Sequence, residues 1–328
     1  MRKKIVSVLI LSILLILCFE ILTTSKEILN SVSFSISVWK NNIFPSLFPF
    51  FIMSELLIEY GFVEFIGELL KPVMVYLFKA NPNTAFIFIM SLISGCPSNA
   101  KYTKELLNQK LITEKDATKI LMFSHFSNPL FILGTVSLVF LNNKEAGLLV
   151  LLCHYSVNLV IGVLFRSYLP SKKEPVQVSF QNAILKMHQK RIQNPKNFGM
   201  ILTGAILNTI QTLLLILGTI TIFLVLTTII DKNMNLSTFH QGILNGMIEM
   251  TQGLKYLSAL HIPLSLKSTL TAMILSFGGF SVHMQVMSIL SDTKVKYAPF
   301  LFSRIIHATL SALLVYFLFE PWMMTICL

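Results

Sequence analysis

Ser94-Gly95-Cys96-Pro97-Ser98-Asn99-Ala100-Lys101 interrupts an apolar run that begins near Ala80. Up to Ser94 the run reads as a helix in lipid; the glycine and proline that follow oppose its regular continuation. A second stretch, Phe277-Gly278-Gly279-Phe280-Ser281-Val282-His283-Met284-Gln285, breaks another apolar run in the same way. Interrupting a helix inside a bilayer strands backbone N–H and C=O groups, at several kcal/mol each. Both breaks therefore call for a polar cavity or a ligand facing them. Paired interruptions in two halves of a membrane chain are the sequence signature of a carrier's binding site.

The surroundings of these stretches agree. The 328 residues are 54% hydrophobic and 12% charged, with a mean hydropathy of +0.72, against about 25% charged in soluble domains. A disordered chain, a coiled coil and a conventional cytosolic enzyme are excluded. Runs free of Asp, Glu, Lys and Arg cover residues 80–100, 120–143, 146–165, 198–230, 268–291 and, more loosely, 305–319. A bilayer core takes about 20 apolar residues per helix. The 198–230 run would make about 50 Å of helix, which predicts a bend near Gly204 or Asn208. Residues 41–54 and 239–248 are too short to span and are candidates for re-entrant segments. The start, Met1-Arg2-Lys3-Lys4 and an apolar run to Phe19, has no small-residue cleavage site. It reads as an uncleaved helix with its basic end in the cytoplasm.

The chain carries 26 Lys+Arg against 15 Asp+Glu, a net +11. In a membrane protein such an excess is topological, and no groove-reading motif points to nucleic acid. Residues 167–196 hold Lys172, Lys173, Lys186, Lys190, Arg191 and Lys196 against Glu174 alone, which predicts a cytoplasmic loop. A second basic cluster spans Lys101 to Lys119, with Thr113 as a helix N-cap. The expected layout is an all-α polytopic membrane protein in four parts. These are an N-terminal transmembrane helix (1–25), a first half (26–166), the basic loop (167–197) and a second half (198–328). The halves read as inverted-repeat-like, with re-entrant hairpins and interrupted transmembrane helices. Cys18, Cys96, Cys153 and Cys327 are too scattered for a disulfide framework or a zinc site.

The polar residues within apolar stretches are the candidates for chemistry. A half-helix starting at Ser98 would aim its N-terminal amides at a cavity, with Asn99 beside it and Lys101 one turn in. Gly95 and Pro97 are the hinge. Ser281, His283 and Gln285 follow the second hinge, Gly278-Gly279. Glu55 and Glu249 are ionisable groups in apolar segments, which are expensive and usually functional; Gln252 lies one turn past Glu249. Asn128, with Pro129, marks a third break and can satisfy freed carbonyls or face the cavity. His154 reads as a packed histidine, and His240, His261 and His307 have no partner at ligand spacing. No nucleophile elbow, zinc-protease or P-loop motif is present. Asp116, Asp231 and Asp292 read as helix starts or loops, so an intramembrane aspartyl protease is excluded. No enzymatic activity, cofactor or bound metal is expected.

Five ordered stretches resemble the YlbJ (SpoVV) sporulation integral membrane proteins: Trp39 with Pro45–Phe51, Ser94–Lys101, Asn128–Gly134, Gly246–Gly253 and Phe277–Gln285. The resemblance covers residues 5 to 320. It departs from the family pattern at Cys96 and Asn99. It implies gate, or nucleoside-recognition, domains similar in layout to concentrative nucleoside transporters. By that similarity, the Glu55 and Glu249 segments match the two re-entrant hairpins. The Ser94–Lys101 and Phe277–Gln285 segments match the unwound helices. It further implies transport of dipicolinate across the outer forespore membrane. Two ionised glutamates would repel a dianion, so they are expected to be protonated or to bind a coupling cation, H⁺ or Na⁺. The rivals are a nucleoside or other small-solute carrier and a non-transporting scaffold for sporulation. Expected partners are the small anion and the bilayer, with self-association left open and no nucleic acid.

Overall fold

The computed structural model describes residues 2–171, 178–234 and 236–326. Lys172, Lys173 and Glu174 of the basic loop, and Cys327, lie outside the described residues. Among those described there are helices and turns and no strands. The α-helices are α1 (Arg2–Thr23), α2 (Ser25–Val38), α3 (Phe44–Glu59), α4 (Phe62–Leu69), α5 (Thr84–Ser94), α6 (Ser98–Asn108), α7 (Glu114–Leu121) and α8 (Lys144–Leu164). They continue as α9 (Phe180–Gln193), α10 (Phe198–Asn233), α11 (Thr238–Ile248), α12 (Met250–Ser258), α13 (Leu264–Phe277), α14 (Gly279–Ile289) and α15 (Tyr297–Ile326). A wide π-helix, Phe131–Phe140, lies between α7 and α8. Five helical stretches among the described residues are long and apolar enough to cross a membrane, and α2 with α3 makes a sixth if counted as one bent span.

The bend between α2 and α3 is 53°. Pro45 and Pro49 enter the helix there without amide donors, and a π turn at Trp39–Ile43 absorbs the mismatch. Trp39 fixes it by donating its indole N–H to the Leu213 carbonyl of α10 at 2.9 Å. The 198–230 run does not bend as its length suggested: α10 is one 36-residue helix. Asn208 turns its amide to Glu55 at 3.1 Å instead of competing for its own backbone. Gly204 has open space around it, so nothing there forces a break. At about 54 Å this helix outruns the hydrocarbon core of about 30 Å.

Side-chain ties sort the helix ends into two layers. At one end, Lys119 caps carbonyls of Lys79 and Arg166 at 2.7 and 2.8 Å. Lys186 reaches Glu68, Lys190 reaches Gln109, Lys196 reaches Glu59 and Lys104 reaches Asp292. This basic end collects the end of α3, the start of α5, the ends of α6, α8 and α14, and all of α9. At the other end, Lys232 bonds Thr24 and Trp322 bonds the Glu145 carbonyl.

The polar breaks fall differently from their expected assignment. Ser94–Lys101 does not unwind a continuing helix; it turns the chain back. Asn83 before α5 bonds Leu111 after α6 at 3.0 Å, and the Phe86 ring meets Tyr102, so α5 and α6 are antiparallel and both reach the basic end. Glu55, expected in a hairpin, lies inside α3, where no residue near it breaks the backbone. The interrupted helix of the first half is instead α7 and the π-helix, separated by the non-helical segment ahead of Pro129. Thr113 starts α7 with a capping box to Asp116. In the second half, α11 and α12 fold back around Glu249. Gly253 meets Gly246 so closely that a Cβ on it would lie 2.2 Å from the Gly246 Cα. The α13–α14 helix breaks at Gly278, whose φ is +88°. Asp231, expected at a helix start or in a loop, sits in the last turn of α10, where it accepts from Asn245 and Tyr256.

Candidate functional site

The turn between α5 and α6 needs Gly95, whose φ of +78° side chains avoid and whose missing Cβ would strike the Asn128 backbone. The Cys96 amide donates to the Phe126 carbonyl at 2.6 Å, and the Asn128 amide donates to the Ser94 carbonyl at 2.8 Å. The hairpin tip is thus stitched to the break between α7 and the π-helix. Ser98 turns inward, bonding Ser94 at 2.7 Å and the Gly95 carbonyl. Tyr102 joins Ser94 to Ser54 of α3 at 3.1 and 2.7 Å.

The carbonyls released by the first-half break find an unusual donor. Arg304 of α15, fully buried, donates to Met122 at 2.6 Å, His125 at 3.2 Å and the Asn158 side chain at 3.2 Å. It also contacts His307 at 2.8 Å and stands 5.6 Å over the Phe300 ring. No acid among the described residues pairs with it. His154 accepts the Ser127 amide at 2.9 Å and contacts Ser276 at 2.8 Å, which makes it a packed residue as expected. Asn128 caps the π-helix, accepting from Leu130 at 2.8 Å and Phe131 at 3.2 Å.

The second hairpin carries Glu249 at its tip, 1% exposed. Its carboxylate caps α12, accepting from the Gln252 amide at 3.0 Å and from the Thr251 hydroxyl. Gly279, at the second helix break, lies against this tip; a Cβ there would sit 3.1 Å from the Met250 nitrogen.

Both hairpin tips and both breaks border one narrow cleft. Its polar wall is Asn42, Cys96, Ser127, Asn128, Glu249 and Gln285, and its apolar wall includes Leu47, Phe131, Ile216 and Ile220. Four helices (α6, the π-helix, α12 and α14) start beside it, so partial positive charge from their amides gathers there. No lysine or arginine lines it among the described residues, and no group of His, Cys, Asp and Glu among them could hold a metal.

The family described as "Gate: Nucleoside recognition" matches residues 42–144, from the cleft-lining Asn42 through hairpin, break and π-helix. The sporulation integral membrane protein YlbJ of Bacillus subtilis (strain 168) is 34% identical over 97% of this chain and 84% of its own length. The chain belongs to the YlbJ family. No solved structure matches it.

In this YlbJ-family protein the sequence candidates separate. Asn128, Glu249 and Gln285 face the cleft, as does the hinge Pro97. Ser98, Asn99 and Ser281 are fully buried behind it. Asn99 approaches His125 at 3.5 Å, and Ser281 accepts from Gln285 at 3.4 Å. His283 contacts the Phe277 carbonyl at 2.9 Å and Tyr297 at 3.0 Å, away from the cleft. Gln252 contributes its backbone amide to Glu249 and is half-buried. Glu55 and Lys101 meet each other at 2.8 Å, one layer toward the basic end. Asn42 and the α10 wall were missed. Asn41-Asn42 ahead of Pro45 was a legible polar signal, whereas Ile216 and Ile220 carry none in an apolar helix.

Proposed function

We propose that this protein is a carrier, not an enzyme, for a small organic anion, with dipicolinate the solute and the outer forespore membrane its place. The observation that supports this most is the meeting of two hairpin tips and two helix breaks at one cleft. We read the hairpins as re-entrant, because each arm of about 9–11 residues is about half the length a crossing needs. The first enters from the basic end and the second from the other, so the halves form an inverted repeat around the cleft. The positive-inside rule puts the basic end, and with it the N-terminus, in the cytoplasm.

A carboxylate in this cleft would face the positive N-terminal ends of α6 and α14. Arg304 beneath the break adds a fixed positive charge. Glu249 opposes a dianion, since like charges a few ångströms apart repel by several kcal/mol at low effective dielectric. A proton or sodium ion on Glu249 removes that repulsion and couples its gradient to the solute. A neutral nucleoside is the second reading, favoured by the family match and by a polar wall without lysine or arginine.

Flux into proteoliposomes tests both. Saturable dipicolinate uptake, driven by a proton or sodium gradient and insensitive to nucleosides, is expected. Nucleoside uptake without dipicolinate uptake overturns the anion reading.

A further inference from the structure

Four of the elements that line the cleft (α3, the first hairpin, α10 and α14) also line a polar vestibule at the basic end. On α10 the step from cleft to vestibule is Ile216 to Thr212, on α14 Gln285 to Ser288, and on the hairpin Pro97 to Lys101. Each step is about one helical turn, or about 5 Å, so only a thin layer separates the two spaces.

That layer contains the Glu55–Lys101 pair, whose side chains are 14% and 10% exposed. The Glu55 carboxylate is held by the Lys101 ammonium at 2.8 Å and by the Asn208 amide at 3.1 Å. Lys101 also donates to Thr209 at 3.3 Å and stands 4.6 Å over the Phe51 ring. An ammonium, a carboxamide, a hydroxyl and a ring face form a receptor for an aromatic carboxylate, and Glu55 is its internal occupant.

We propose that Glu55–Lys101 is a charge-exchange site: a carboxylate of the solute displaces Glu55 from Lys101 as it passes between cleft and vestibule. This rests on the anion-carrier reading above. The exchange swaps one ion pair for another, so Lys101 is never left buried without a counter-charge, which would be costly. Glu55 already lines the vestibule, and once displaced it turns further into it, where water, Gln211 and Thr212 can receive it.

Binding of dipicolinate to the purified full-length protein, with flux in proteoliposomes, tests the exchange. Glu55→Gln removes the internal competitor. If Glu55 occupies Lys101 about nine-tenths of the time, the apparent Kd tightens about tenfold, while flux slows because the solute is not expelled. Lys101→Gln weakens binding about tenfold, and the Glu55→Gln/Lys101→Gln double variant, which has no unpaired charge to unfold it, shows no tightening over Lys101→Gln. An unchanged or weaker Kd in Glu55→Gln, or tightening that survives in the double variant, overturns the exchange alone when wild-type flux is present. No dipicolinate binding in any variant, with no flux, overturns the carrier reading and the exchange together.

Discussion

Arg304 brings a guanidinium into the centre of the protein and spends it on carbonyl oxygens. Met122 and His125 lack helical partners at the first-half break; Arg304 donates to both, at 2.6 and 3.2 Å, and shares the His125 carbonyl with the Asn158 amide at 2.9 Å. Arg304→Met strands the Met122 carbonyl and the Asn158 side-chain oxygen, each costing about 1–3 kcal/mol, while the His125 carbonyl keeps the Asn158 amide, so a loss of about 2–5 kcal/mol is expected. Arg304→Lys keeps the charge without the planar fork and should fall between. Thermal unfolding in detergent decides this; a Met variant as stable as wild type would refute the role. Glu249 behaves differently. Glu249→Gln retains an oxygen to cap α12, so folding should survive while the pH or sodium dependence of flux changes. The same dependence in both proteins would sink the coupling assignment. Glu249 was legible in the sequence because it is a lone charge in an apolar stretch. The part Arg304 plays was not, because its partners are carbonyls more than half the chain away.

Hairpins depend on how closely two short helices can approach. Gly253 and Gly246 put α11 and α12 in backbone contact, so Gly253→Ala should push the tip, and Glu249 with it, out of place at a cost of about 1–3 kcal/mol. Gly204 lies in open space on α10, and Gly204→Ala there should stabilise by up to about 1 kcal/mol through helix propensity. Comparing unfolding of the two variants separates close packing from a general dislike of alanine; equal effects would refute it. At this scale the sequence disclosed where helices break but not what the chain does next. Ser94–Lys101 and Phe277–Gln285 look alike as strings, yet the first reverses direction and the second continues. The difference is decided by contacts remote in sequence, such as Asn83 with Leu111 and Tyr102 with Ser54. The missing bend in α10 has the same origin, since Asn208 is claimed by Glu55.

Over the whole molecule, charge and topology become one question. The net +11 could have marked an anion path, but most of the cations that the structure pairs are tied along one end, to Glu59, Glu68, Gln109 and the Lys79 and Arg166 carbonyls. Such pairs fasten α9 across the ends of α3, α4 and α6, so the basic segment braces the first hairpin from outside. The arrangement requires Lys144, at the start of α8, and Gln189, on α9, to lie on opposite sides of the membrane. Both are exposed. In a background with Cys18 and Cys327 replaced by serine, Lys144→Cys and Gln189→Cys should react with a membrane-impermeant thiol reagent from opposite faces. Gln189→Cys should react only after the cytoplasmic side is opened, if the positive-inside orientation holds. Labelling of both from the same face would break the inverted arrangement. Labelling from opposite faces in the reverse order would leave that arrangement intact and turn the carrier around.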